Sequence, residues 1–176
     1  MKVLYAARMC RYDLLRACCF LATKVTQWDE TCDRALHRLM CYINSTIDLK
    51  LQAWIGDPAE SWEFVVFSDA DFAGDKATRK STSGVFTCIR AANTFFPLLG
   101  TSKKQTCVSH STPEAEIVAA DFAVRTVGLP GLDLWETLTG KPMKMVLKKT
   151  TSRPSESSRQ GRAMLCGTSA VPTELT

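Results

Sequence analysis

The run Phe64-Val65-Val66-Phe67-Ser68 is the strongest constraint in this 176-residue chain. Apolar, aromatic and β-branched residues follow one another there without the alternation of a half-exposed strand. The run therefore predicts a strand covered on both faces. Ala73-Gly74-Asp75-Lys76 turns the chain after it, and Thr82 to Ile89 and Thr94 to Leu99 read as two more short strands. Gln105 to Ser109 reads as another, and a long helix is expected from Thr112 to Thr126. Gly128-Leu129-Pro130-Gly131 predicts a break, followed by a helical piece from Leu132 to Leu138 and a strand at Met143 to Leu147. Strand, turn, strand, strand and then helix is an α/β pattern with an α+β start, built on mostly antiparallel pairing.

The residues before this unit have a different period. Asp13 to Ala22 places apolar residues at helical spacing without Gly or Pro, and Glu30 to Tyr42 puts Ala35, Leu36, Leu39 and Met40 on one stripe. Asp29 or Thr31 is placed to cap that second helix. Leu49 and Leu51 open an alternating segment that ends at Gly56-Asp57-Pro58. Three zones result: a helical segment over 1–56, an α/β unit over 60–147 and a divergent tail over 148–176.

The net charge of +4 is unevenly spread. Residues 141–176 carry seven basic and two acidic side chains, which leaves the first 140 at −1. After Lys148 the chain is Ser, Thr, Arg and Lys without apolar periodicity, and disorder is expected there. The eight cysteines form no Cys-x-x-Cys pair, and His37 and His110 give no zinc spacing, so reduced thiols are expected, in the cytoplasm or the nucleus. No stretch approaches the roughly 18 uncharged apolar residues of a spanning helix. Arg8, Arg11 and Asp13 come too early for a secretory signal.

Asp69 ends the apolar strand on the face of Val65 and Phe67. A carboxylate leaving a buried strand is costly unless it is paired, exposed or bound to a cation, although a plain turn residue fits the same position. In Ser111-Thr112-Pro113-Glu114-Ala115-Glu116, either Ser111 and Glu114 form a capping box or Thr112 caps with Pro113 at the first helical position. Helical steps put Glu116 with Ala120, Ala123 and Val127, a stripe expected to face inward, and Glu114 with Asp121 and Arg125 on a polar stripe. Two inward carboxylates repel unless a divalent cation lies between them, so Asp69 and Glu116 are candidates to share one. Arg79-Lys80-Ser81 and Lys103-Lys104-Gln105 are candidate phosphate contacts, with ordinary solvated loops as the alternative. Ser109-His110-Ser111 lacks a nucleophile elbow and is not read as a hydrolase site.

Taken together, the blocks resemble the pol polyprotein of Ty1/copia-type LTR retrotransposons, where the reverse transcriptase joins the ribonuclease H domain. The match rests on Leu4-Tyr5-Ala6-Ala7-Arg8, Asp13-Leu14-Leu15 and Ala35 to Ile43, and more strongly on Ser68 to Asp75. Arg79 to Gly84, Ser102 to Gln105 and Ser111 to Glu116 continue it in order, over about residues 1–140. The resemblance implies an RNase H-like mixed sheet with an antiparallel start, flanked by helices. It implies two Mg²⁺ ions that cut the RNA strand of an RNA–DNA hybrid, with Asp69 and Glu116 as catalytic and metal-binding carboxylates. Asp71 and Glu114 match as accompanying positions, and the reverse transcriptase part of the parent polyprotein is the implied partner.

A third aspartate is implied near Met145-Val146-Leu147 and a fourth later, yet no Asp follows Asp133. The expectation is a degenerate, inactive remnant of a ribonuclease H domain. The alternatives are a nucleic-acid-binding module that does not cut, and a working enzyme completed by a partner chain.

Overall fold

The computed structural model describes residues 2–75 and 78–149. The expected disorder of the tail lies, from residue 150 onward, outside the described residues.

Three helices come first: α1 (Lys2–Met9), α2 (Leu15–Thr23) and α3 (Glu30–Ser45). Asp29 starts α3, its Oδ1 accepting from the Cys32 N–H over 2.8 Å, so one orphan donor of the first turn is satisfied. Ala7, Leu14, Leu15, Cys18, Leu21, Cys32 and Leu39 close a small apolar core among the three. Arg11 locks its corner by donating to Asp13 and to both the carbonyl and the hydroxyl oxygen of Thr46, beyond the end of α3.

The sheet has four strands in the order β3-β2-β1-β4. Strand β1 (Glu63–Asp71) pairs antiparallel with β2 (Thr82–Ala91), and β2 with β3 (Thr94–Lys104). Strand β4 (Lys144–Lys149) lies parallel to β1 on its other side. The mixed α/β class and the antiparallel start are as the sequence indicates. Several expectations fail. Residues 105–109 are not a strand, because β3 runs on to Lys104 and Gln105 then turns inward. Strand β4 also outlasts the expected boundary at residue 147, taking in Lys148 and Lys149. The alternating segment near Leu49 forms no strand, only an isolated bridge between Trp54 and Phe95.

Helices α4 (Thr112–Ala123) and α5 (Leu129–Thr139) cover one face of the sheet. Half of the capping box forms: Ser111 Oγ accepts from the Glu114 N–H at 3.3 Å, while Glu114 Oε2 reaches back one residue past the cap to accept from the His110 N–H at 2.7 Å. The break expected at 128–131 does not occur. A π turn over Val124–Gly128 carries α4 into α5, and the wider turn accommodates Pro130, which has no N–H to donate to the turn before it. Gly131 is needed for another reason: a Cβ there would sit 2.7 Å from the Phe64 ring, so the bare backbone lets α5 press onto β1.

The other face of the sheet meets the helical segment. Tyr12 stacks edge-on against Phe86, with ring centroids 5.7 Å apart, and its hydroxyl donates to the Leu98 carbonyl oxygen at 3.2 Å. Gly100 makes this approach possible, since a Cβ there would lie 2.7 Å from Tyr12 Cδ1 and 2.9 Å from Leu15 Cδ1. Among the described residues, no helix is long and apolar enough to cross a membrane.

Candidate functional site

Strand alternation decides which groups can meet. Phe64 and Val66 join Val85, Ile89 and Ala123 in the core beneath α4 and α5. A period of two puts Ser68 and Ala70 on that face as well, and Val65, Phe67, Asp69 and Asp71 on the opposite one. Asp69 is exposed and lines an open cleft of about 520 Å³ between the sheet and the helical segment. Tyr12, Arg16, Phe67, Phe86 and Gly100 form its walls.

Glu116 is reached from the other side. Helix α4 contacts the sheet through Ala115, Ala119 and Ala123, all fully buried. That stripe is offset by one residue from the one expected, so Glu116 does not point straight inward but lies half-buried on its flank. The start of α4 is held near the carboxyl end of β1 by Gln105, whose Nε2 donates to Ser83 Oγ (3.0 Å) and to the Ala115 carbonyl oxygen (2.9 Å). Ser83 pairs with Ala70, one residue beyond Asp69. Asp69 and Glu116 thus belong to the same end of the sheet but to elements on opposite faces.

The accompanying carboxylates are committed elsewhere. Asp71 Oδ2 accepts from Arg16 Nη2 at 2.7 Å, and Glu114 Oε2 accepts from the His110 N–H. Strand β4 contributes no acid. Its parallel register sets Lys148 beside Phe67 and Lys149 beside Ser68, so Lys148 shares the face of Asp69. The charge of Lys148 is felt on that face: with the nearer Lys144 it helps hold the Glu63 carboxyl below the usual range. It also opposes the burial that pushes the Cys88 thiol up to about 11.

The candidate phosphate contacts divide. Lys103 and Lys104 belong to β3 rather than to a loop and project to opposite faces, Lys103 over the Phe122 ring at 5.1 Å and Lys104 onto Asp75. Ser81 and Gln105 are buried, and their side chains bond within the fold: Ser81 Oγ accepts from the Ala73 N–H, and Gln105 Oε1 accepts from Ser109 Oγ. Arg79 is exposed, in a backbone conformation with φ +54. Arg79 and Lys80 stay available to a ligand, whereas Ser81 and Gln105 hold the loop and α4 in place.

Two bridged divalent cations need a cluster of carboxylates to offset their charge. Among the described residues, no three His, Cys, Asp or Glu side chains come together in a group that could hold a metal. Sequence reasoning missed Tyr12 and Arg16 as walls of the Asp69 cleft, and no local signal marks either one, because their contacts are made across more than fifty residues of chain. No family model, no curated protein and no solved structure matches this chain.

Proposed function

We propose that this chain is the remnant of a retrotransposon ribonuclease H domain that keeps the sheet and helix framework and does not cleave. The ordered motifs from Ser68 to Glu116 support the ancestry. The observation that carries the loss of activity is the register of β4, which brings Lys148 and Lys149 alongside Phe67 and Ser68 where the resemblance calls for a carboxylate. An ammonium on the Asp69 face of the sheet adds positive charge where a divalent cation would have to be held. Incubation with an RNA–DNA hybrid and Mg²⁺ tests this. The expected result is no turnover above that of the Asp69→Asn variant. Robust cleavage that Asp69→Asn abolishes overturns the reading.

The three lysines of β4 favour a second reading, hybrid binding without cleavage, although Lys144 is already paired with Glu63 at 2.5 Å. Filter binding over a salt series separates the two. Affinity that falls steeply with salt marks phosphate contacts, and no measurable affinity at low salt removes this second reading.

A further inference from the structure

Helix α3 turns only part of its surface inward. Cys32 and Leu39 are buried and Ala35 and Ile43 pack beside them, while His37, Met40 and Cys41 face solvent on the next stripe. Positions 37 and 40 are related by an i,i+3 step and 37 and 41 by an i,i+4 step, so the two sulfur-bearing side chains flank His37 on either side. They present an imidazole, a thioether and a thiol within one turn. Cys41 Sγ lies 3.8 Å from each ring nitrogen of His37. A metal bonded to sulfur at about 2.3 Å and to nitrogen at about 2.0 Å sets those donors about 3.7 Å apart at a trigonal angle. The sulfur stands at about that separation but equally far from both nitrogens, so a turn of the exposed imidazole is needed to aim one nitrogen at a metal shared with the thiol. None of the three has a structural task that binding would disturb, since the helix packs through its other face.

We propose that His37, Met40 and Cys41 form a soft-metal site on the exposed face of α3, suited to cuprous copper. Thiolate and thioether donors select Cu(I) over harder cations. Zinc closes its structural sites with four ligands and would be one short here. On binding, the Cys41 thiol gives its proton to solvent and the thiolate bonds the metal, which remains monovalent. The site is separate from the Asp69 cleft and does not depend on the nuclease ancestry.

The test is anaerobic competition of the full chain against a chromogenic Cu(I) chelator in the presence of reductant. One tight equivalent is expected. It should be lost in Cys41→Ser and weakened at least about tenfold in His37→Ala and Met40→Leu, because loss of a direct ligand costs no less than loss of its supporting groups. Cys10→Ser and Cys107→Ser, which alter the other exposed thiols among the described residues, should bind as the parent does. Uptake unchanged by Cys41→Ser, or parental affinity in Met40→Leu, overturns the proposal. X-ray absorption on the copper-loaded parent needs no variant: one nitrogen and two sulfur neighbours are expected, and a shell of sulfur alone refutes the assignment.

Discussion

Arg16 of α2 donates from Nη2 to Oδ2 of Asp71 over 2.7 Å, tying the helical segment to the last residue of β1. The bridge lies at the mouth of the cleft that holds Asp69 and occupies the second aspartate of the Asp69-Ala70-Asp71 run. Both side chains are about half exposed, at 49% and 52%, so water screens most of the attraction. Arg16→Ala should therefore lower stability by less than about 1 kcal/mol, with the loss shrinking at 1 M salt. Urea midpoints at low and high salt check this. A loss of several kcal/mol would make this bridge a principal tie between segment and sheet.

The tighter tie is steric. Gly100 lets Tyr12 and Leu15 lie directly on β3, and the methyl of Gly100→Ala would overlap both. The expected cost is about 1–3 kcal/mol, the usual penalty of overpacking. Urea unfolding measures it, and unchanged stability would mean that the helical segment does not rest on the sheet as described.

Ser68 carries a buried hydroxyl with no hydrogen-bond partner among the described residues, on the face beneath α4. A buried donor left unsatisfied costs free energy that an apolar side chain avoids. Ser68→Ala should leave stability unchanged or raise it by about 1 kcal/mol. A marked loss in the thermal midpoint would show that the hydroxyl has a partner after all.

Gln105 is the opposite case. All its described side-chain bonds are buried and join β2, the turn before α4 and α4 itself. Gln105→Ala strands the hydroxyl groups of Ser83 and Ser109, and a loss of about 2–3 kcal/mol is expected in denaturant titration. Gln105→Glu, which keeps the shape but loses the amide donor, should also destabilise. A neutral result in both variants would mean that α4 is held by its alanine stripe alone.

Acid should loosen the helical segment first. Burial pushes the Asp13 carboxyl up, but its bonds to Arg11, helped by a hydrogen bond from Tyr42 and by its own backbone N–H, together reverse this and leave it below the ordinary range. The fold thus favours the ionised form. The stabilisation is present above the unfolded value near pH 4 and is lost as pH falls through the lower folded value. Helix content followed from pH 7 to pH 2 should fall in Asp13→Asn with a weaker pH dependence than in the parent. Identical acid profiles would remove Asp13 from this role.

Much of this molecule is written locally. Phe64 to Ser68 has too few polar groups to face water on either side; α4 and α5 cover one side of β1, and the other side opens onto the cleft beneath the helical segment, with Val65 still buried. Asp29 and Ser111 mark helix starts because a short side-chain oxygen satisfies an orphan N–H nearby, a bond made within three residues. The failures came where distant packing overrode such signals. Gly128 to Gly131 looks like a break, but Phe64 needs the bare Gly131 backbone against it, and the chain stays helical.

What the amino-acid order determined alone is the set of elements, their caps and the presence of Asp69 and Glu116 near element ends, because propensity, patterning and capping act over a few residues. Only the tertiary structure decided that those two carboxylates approach one end of the sheet from opposite faces, that Arg16 takes Asp71, and that Lys148 lies on the Asp69 side. Each of these depends on strand register and helix phase, where a step of one residue moves a side chain to the other face of a strand or about 100° around a helix.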